Sequence, residues 1–214
     1  MTVEPGQVAA AVSAERLAVA DLMAQLSEEE LATPSLCAAW SVRDVLAHLT
    51  TTTRLRIPML ARAILRARGS FDRMEVDLAA DRAARFSTAE LIDQLRESAQ
   101  SSRRFPGSSA MDPLMDLVVH AQDVARPLGR VHETPAPVRA AVLSYLTTNR
   151  LMGGRKRIAG LRLESTDSSW AAGTGPLVRG SDAELLLALA GRPAALDRLS
   201  GPGVTTLWAR LDAR

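Results

Sequence analysis

The chain holds three histidines, and one of them, His120, stands four residues after a carboxylate in the run Asp116-Leu-Val-Val-His120. On a helix that spacing puts both side chains on one face, within reach of a common point. An imidazole nitrogen and a carboxylate oxygen presented together are two metal ligands in want of a third. A second histidine, His48, closes the run Trp40-Ser-Val-Arg-Asp-Val-Leu-Ala-His48. If the two helices pack side by side, His48, Asp116 and His120 supply two nitrogens and one oxygen. That is the make-up of an open catalytic zinc site, with a position left for water or a thiol. Asp123 lies one turn past His120 on the same face, where it could accept the proton of the other imidazole nitrogen and so orient the ring. A salt bridge to Arg126 or Arg130 is the competing assignment for Asp123. His132, in the loop Gly129-Arg-Val-His132-Glu-Thr, has no partner at useful spacing and is read as a surface residue.

Histidines on apolar helices are often core residues with satisfied nitrogens, so the spacing alone does not establish a site. The surroundings of Asp116 favour one: Leu114, Met115, Leu117 and Val118 flank it, and an unpaired carboxylate among them would be costly.

The elements that must carry these residues read mostly as helices. Apolar residues at Val12, Leu17, Val19, Leu22 and Met23 give a first amphipathic helix over Val8 to Leu26, followed by a Glu-rich solvated turn. Ser41 is a good N-cap with Asp44 three residues on, and the helical pattern continues from Val42 through His48 towards Leu65, divided or kinked at Pro58. Arg66 to Asp81 is charged and irregular and reads as a loop. Ser87-Thr-Ala-Glu90 is a capping box that opens a helix ending near Arg104. Pro113 suits the first turn of the helix with Asp116 and His120, which stops at Arg126-Pro127. A further helix follows Pro135-Ala-Pro137. After Gly153-Gly154 the pattern changes to three short strands near Leu161–Ser165, Ser169–Ala171 and Pro176–Arg179. A capped helix from Ser181 to Leu189, a short helical piece over Ala194–Leu199 and a final helical stripe from Val204 to Leu211 complete the chain. The expected architecture is mainly α with an α+β tail: a helical bundle over residues 1–152, then a small α+β domain over 153–214.

Composition sets the limits. Apolar residues make up 47% of the 214, which predicts a sizeable core, and aromatics only 3%, which predicts a core of Ala, Leu and Val packed between helices. Lys156 is the one lysine among the basic residues, yet the net charge is only +2 and acids and bases alternate along the chain. This balance argues against a nucleic-acid partner. Cys37 is the only cysteine, which excludes an intramolecular disulfide and a cysteine-based zinc cluster, and it reads as a small packed side chain. The N-terminus lacks a charged-then-apolar leader pattern, and no apolar run approaches the ~18 residues needed to span a bilayer. The chain therefore reads as a cytoplasmic protein with no membrane partner.

At this point two of the runs match a known pattern. Trp40-Ser-Val-Arg-Asp-Val-Leu-Ala-His48 resembles the first motif of the DinB-like metal-dependent bundles, and more specifically of the mycothiol-dependent maleylpyruvate isomerase family of actinobacteria. Asp116-Leu-Val-Val-His120-Ala-Gln-Asp123-Val-Ala-Arg-Pro-Leu-Gly129 resembles that family's second motif, including its frequent Asp after the histidine. The stretches Trp170 to Gly180, Gly191-Arg-Pro and Leu199-Ser-Gly-Pro-Gly203 are similar to the family's small C-terminal domain. The resemblance covers nearly the whole chain. It implies a DinB-like four-helix bundle whose divalent metal, usually zinc, is held by His48, Asp116 and His120. In the family the acid is often Glu, one methylene longer. It also implies mycothiol as the thiol cosubstrate, with the metal-bound thiolate acting as nucleophile on a small electrophilic substrate in a transferase or isomerase reaction. The oligomeric state stays open, a homodimer included. Catalytic and mycothiol-binding residues are not readable from the sequence, and neither is the substrate. Two other classes stand beside this reading: a non-catalytic metal- or thiol-binding bundle, and a bundle whose histidines and acid are structural and whose function is association.

Overall fold

The computed structural model describes residues 4–149 and 153–212 of the chain. Seven helices precede His132: α1 (Pro5–Ala24), α2 (Glu28–Ala32), α3 (Val42–Arg54), α4 (Ile57–Arg66), α5 (Phe71–Arg85), α6 (Thr88–Glu97) and α7 (Asp112–Ala125). After it come α8 (Ala136–Thr148), α9 (Gly154–Arg157), the strands β1 (Arg162–Ser165), β2 (Ala171–Gly173) and β3 (Leu177–Gly180), then α10 (Asp182–Ala190), a 3-10 helix at Pro193–Arg198 and α11 (Val204–Asp212). The chain is therefore mainly helical with an α+β C-terminal part, as the patterning predicts.

The chain forms two compact units, one spanning Glu4–His132 and the other containing Glu133–Arg214. The division falls earlier than the break expected between 152 and 153, and residues 150–152 lie outside the described residues. Helix α8 accounts for the difference, since it packs on α10 and α9 and so belongs with the second unit.

In the first unit α1, α6, α3 and α7 form a closed ring of four packed helices, each touching the next, with α5 against α3 and α4 against α5. Low aromatic content is met by a core of small aliphatics, among them Val19, Ala20, Val45, Leu46, Leu91, Leu95, Val118 and Ala121. Capping fixes where the helices start. Ser27, Ser41 and Ser87 each accept the backbone N–H of the acid three residues on, and each acid reaches back to its cap. Pro58 sits in the first turn of α4, so the helix that begins at Val42 ends at Arg54 and a new one starts at Ile57.

Three local readings are corrected here. The Glu-rich run after Ser27 is the short helix α2, because its acids occupy a capped first turn where the helix dipole favours them. Helix α6 ends at Glu97, short of Arg104. The segment 66–81, read as a loop, is mostly helix α5. Ser70 caps it by accepting the Arg73 N–H, and Met74, Ala79 and Ala83 bury one face of it.

The second unit places α10 against α8, β1 and β3. Its sheet has the order β2-β1-β3, with β1 antiparallel to β2 and parallel to β3. Leu163 pairs with Ala172 on one side and Val178 on the other, and Leu163, Val178 and Leu185 of α10 are all fully buried. Gly154 lets α9 approach α8, since a Cβ there would collide with the Leu146 carbonyl. Gly191 ends α10 at φ +93°, a left-handed position that favours glycine.

Candidate metal centre

Helix α7 is the axis of the site. From Leu114 to Ala125 every residue except Asp116 is buried, so a polar group on this helix must find its partners inside the protein. Pro113 starts it, and its apolar residues pack against α1 and α3. His120 is 6% exposed and Asp123 fully buried, while the Asp116 side chain keeps 28% of its surface. The site therefore meets solvent at Asp116.

The opposite wall comes from α3. The Ser41–Asp44 capping box sets its start: Asp44 Oδ2 accepts from the Ser41 N–H at 2.9 Å and from its hydroxyl at 2.6 Å. Two turns on, His48 is 7% exposed and faces α7. Trp40, immediately before the cap, is buried over both imidazoles, with ring centroids 4.7 Å from His48 and 5.7 Å from His120. The turn that leads into it is tied down by Ser35, whose hydroxyl donates to the Trp40 carbonyl at 2.9 Å and accepts from the Cys37 N–H.

The four residues singled out in the sequence come together. His48 Nε2 lies 3.3 Å from Asp116 Oδ2, and His120 Nε2 lies 3.3 Å from Asp116 Oδ1. His120 Nδ1 faces Asp123 Oδ2 at 2.8 Å. Arg130 instead donates twice to Glu30 Oε1, at 2.7 and 3.1 Å.

The sequence reading missed a fifth residue. Glu75 of α5 places Oε2 3.0 Å from His48 Nδ1. Both histidines are thus arranged alike: each turns Nδ1 to a carboxylate behind it and Nε2 to Asp116 in front. An Nδ1–H donated to a carboxylate leaves the Nε2 lone pair free to bind a metal. Ligands about 2.0–2.1 Å from a tetrahedral zinc stand about 3.3–3.4 Å apart, from the tetrahedral edge length. The two Nε2-to-Asp116 separations match that edge.

Electrostatics binds the group tightly. Burial disfavours a charged His48, but Asp116 and then Glu75 outweigh it and push the pKa up to about 10. Against the same effect of burial, Asp116 and Asp123 raise that of His120. Burial would raise the carboxyl of Asp116, yet the two imidazoles hold it well below the usual carboxylate range. A metal must displace the Nε2 protons, so the geometry of a ligand set is combined with a strong proton competitor.

A second trio overlaps the first. Cys37, His120 and Asp123 offer ligand atoms that all lie within 4.8 Å of one another, as do those of His48, Asp116 and His120. In the Cys37 group the His120–Asp123 hydrogen bond already joins two of the members, whereas in the other both histidines present Nε2 outward to a shared carboxylate. His132 is not a surface residue: its side chain is 5% exposed, and Nε2 lies 2.8 Å from the buried Glu15 carboxylate of α1. It takes no part in the centre.

Residues 12–107 match the family model of the mycothiol maleylpyruvate isomerase N-terminal domain. That match includes His48 and Glu75 and ends before α7. Two solved structures resemble the chain over most of its length. One is the mycothiol-dependent maleylpyruvate isomerase, at 16% identity and TM-score 0.63, covering 94% of this chain and 96% of that one. The other is a histidine-to-alanine mutant of a protein with the same name, at 15% identity with the same TM-score and coverage. At such identity the likeness shows the fold. No curated protein matches the sequence. No helix among the described residues is long and apolar enough to cross a membrane.

Proposed function

We infer that this chain, a member of the mycothiol maleylpyruvate isomerase family through its N-terminal domain, is a divalent-metal enzyme that uses mycothiol on a small electrophilic substrate, in a transferase or isomerase reaction. The observation that carries this reading is the matched pair of histidines, each with a carboxylate on Nδ1 and Nε2 turned to Asp116. His48, Asp116 and His120 would hold the ion, with zinc favoured by two nitrogens, one oxygen and a tetrahedral edge length. When bound, the ion would supply a thiolate at neutral pH by lowering the pKa of a coordinated thiol.

The protein's own groups do the rest. Asp123 faces Nδ1 of His120 and would hold that ring in its orientation. Trp40 covers the rings and keeps water from their faces. Asp116, the one partly exposed member on α7, marks where a thiol and its electrophile would enter. Arg130, one of the two arginines that follow α7 closely, is engaged with Glu30. We therefore propose the thiol-dependent reaction class, and leave maleylpyruvate as the substrate named for the structural relative alone.

The test is metal content by elemental analysis for wild type, His48→Ala and His120→Ala, beside mycothiol-dependent consumption of a panel of electrophiles. About one ion per chain in wild type, lost in both variants together with turnover, supports the reading. Metal binding with no turnover of any electrophile would favour a non-catalytic metal- or thiol-binding protein. Full metal stoichiometry in the variants would refute the ligand assignment.

A further inference from the structure

The carboxylate behind His48 comes from an element that sequence patterning passes over. Helix α5 packs against α3 and α4, and its Met74 clusters with Ala63 of α4 and Ala67 just after it. Glu75, next to Met74, has a side chain only 19% exposed, with Oε2 3.0 Å from His48 Nδ1. The nearest acid before it, Asp72, is exposed and lies at the N-terminal turn of α5, where the helix dipole accommodates it. Glu75 instead gives up most of its hydration in mid-helix, a cost that its contact with His48 offsets.

Three features set this contact apart from an incidental ion pair. It reproduces on His48 the arrangement that Asp123 makes on His120 at 2.8 Å. It comes from a third helix, so His48 is fixed by α3 at its backbone, by Trp40 over its ring and by α5 at Nδ1. It also leaves Nε2 as the nitrogen facing Asp116. Without an acceptor at Nδ1, the neutral ring could place its proton on Nε2 and give up its lone pair there.

We propose that Glu75 is a positioning residue of the metal centre, acting through His48 to fix the imidazole proton on Nδ1 and the metal-binding lone pair on Nε2. The inference rests on the metal reading given above. Glu75 touches neither metal nor substrate. Its carboxylate also raises the basicity of the ring as a ligand, so its removal has two separable effects. Glu75→Gln keeps an oxygen that can accept the Nδ1–H and loses the charge. Glu75→Leu loses both.

The experiment measures zinc affinity by competition with a chelator for wild type, Glu75→Gln, Glu75→Leu and His48→Ala, and records the histidine ring nitrogen spectra of the zinc-loaded, nitrogen-15-labelled proteins. Far-UV circular dichroism of each variant reports whether the helices are retained. The expected result is a loss of about 10- to 100-fold in zinc affinity for Glu75→Leu, with a smaller loss for Glu75→Gln. The spectrum should show His48 bound through Nε2 with a protected Nδ1 proton in wild type and Glu75→Gln, and that proton lost in Glu75→Leu. Should Glu75→Leu not fold, Glu75→Gln decides the matter, because unchanged affinity there together with an unprotected Nδ1 proton in wild type overturns the proposal. Zinc affinity and ring spectra of Glu75→Leu within about twofold of wild type, with His48→Ala devoid of zinc, would overturn the role of Glu75 and leave the site intact. If His48→Ala binds zinc like wild type, the metal reading itself fails and this role goes with it.

Discussion

Raising the pH should destabilise the protein when it is free of metal. His48 has its pKa pushed to about 10 by Asp116 and Glu75, and that of His120 is raised by Asp116 and Asp123. In the unfolded chain both titrate near the ordinary histidine value of about 6.5. The stabilisation they contribute is therefore complete below about pH 6.5 and is lost as pH rises through the folded-state values. For His48 the window runs from about 6.5 to about 10. Within it the folded protein holds about one proton more on His48 than the unfolded chain does, a loss of about 1 kcal/mol per pH unit, and His120 adds to it in the same direction. Between pH 7 and pH 9 His48 alone would account for about 2–3 kcal/mol, a large share of a total stability of about 5–15 kcal/mol. The assay is urea denaturation at pH 7, 8 and 9 with a chelator present, on wild type and His48→Ala. The midpoint should fall with pH in wild type, and more gently in the variant. Saturating zinc should reverse the trend, because the metal binds deprotonated rings. At free zinc a hundredfold above its dissociation constant, the added stability is about 2.7 kcal/mol. A metal-free midpoint that stays level or rises from pH 7 to pH 9 would refute the charged cluster on which the site is built.

Other outcomes follow from the same contacts. Asp123→Asn keeps an acceptor for His120 Nδ1 but removes a fully buried charge; zinc affinity should drop about tenfold or more, as read by chelator competition. Leu46→Ala empties a fully buried position of α3 and should cost about 2–5 kcal/mol in chemical denaturation. Ser41→Ala removes the cap that starts α3; a loss of about 1 kcal/mol is expected, with a change in tryptophan fluorescence because Trp40 precedes the cap. In the second unit Arg139 Nε donates to the buried Asp182 at 3.1 Å. Arg139→Met would strip that carboxylate of its cation and destabilise by about 3 kcal/mol, which thermal unfolding would register; an unchanged transition would mean that the Ser168 hydroxyl, which donates to Asp182 Oδ1 at 2.8 Å, suffices.

The sequence was readable where the chemistry lies along one helix, and less so where it crosses between helices. Asp116, His120 and Asp123 share a face of α7, so spacing alone brings them into register. His48 is two turns beyond a capping box, so its helix and face follow from local rules. Only the side-by-side packing of α3 and α7 had to be supposed. Glu75 was hidden because α5 has a weak amphipathic pattern: its buried face is Met74 and the two alanines Ala79 and Ala83, set in a stretch with Arg66, Arg68, Asp72, Arg73 and Asp77. The usable signal was Ser70 followed by apolar residues four, eight, nine and thirteen positions on, a capped helical stripe inside a charged stretch. His132 was misplaced for a different reason. Its partner Glu15 lies on α1, 117 residues away in sequence, and no local pattern announces a pairing at that distance. The unit boundary slipped because Gly153-Gly154 is a strong break, while α8 shows its allegiance only through the residues of α10 that it meets.

The reach of Asp116 and the surplus of carboxylates around the site bear on each other. A short acid can serve both histidines only if they stand close to it, and the two 3.3 Å separations show that they do. Two neutral imidazoles with Asp116, Asp123 and Glu75 carry one negative charge more than a divalent ion would neutralise. Carboxylates on both Nδ1 atoms make the rings stronger donors and an ion between them a weaker acid. Such a centre is poorly suited to polarising a carbonyl, where a bare and electron-poor ion is wanted. It is better suited to holding a thiolate loosely enough for its sulfur to stay nucleophilic, since an electron-rich ion withdraws less from the sulfur. With an ion bound, the arrangement of the acids would thus favour the reactivity of a coordinated thiolate over activation of an electrophile. Replacing Asp123 and Glu75 together by amides should then slow attack by a bound thiol more than it slows any reaction that depends on carbonyl polarisation. Single-turnover rates with a thiol-reactive alkene, measured at saturating metal, would decide it: equal or faster attack in the double variant would refute this account of the charge.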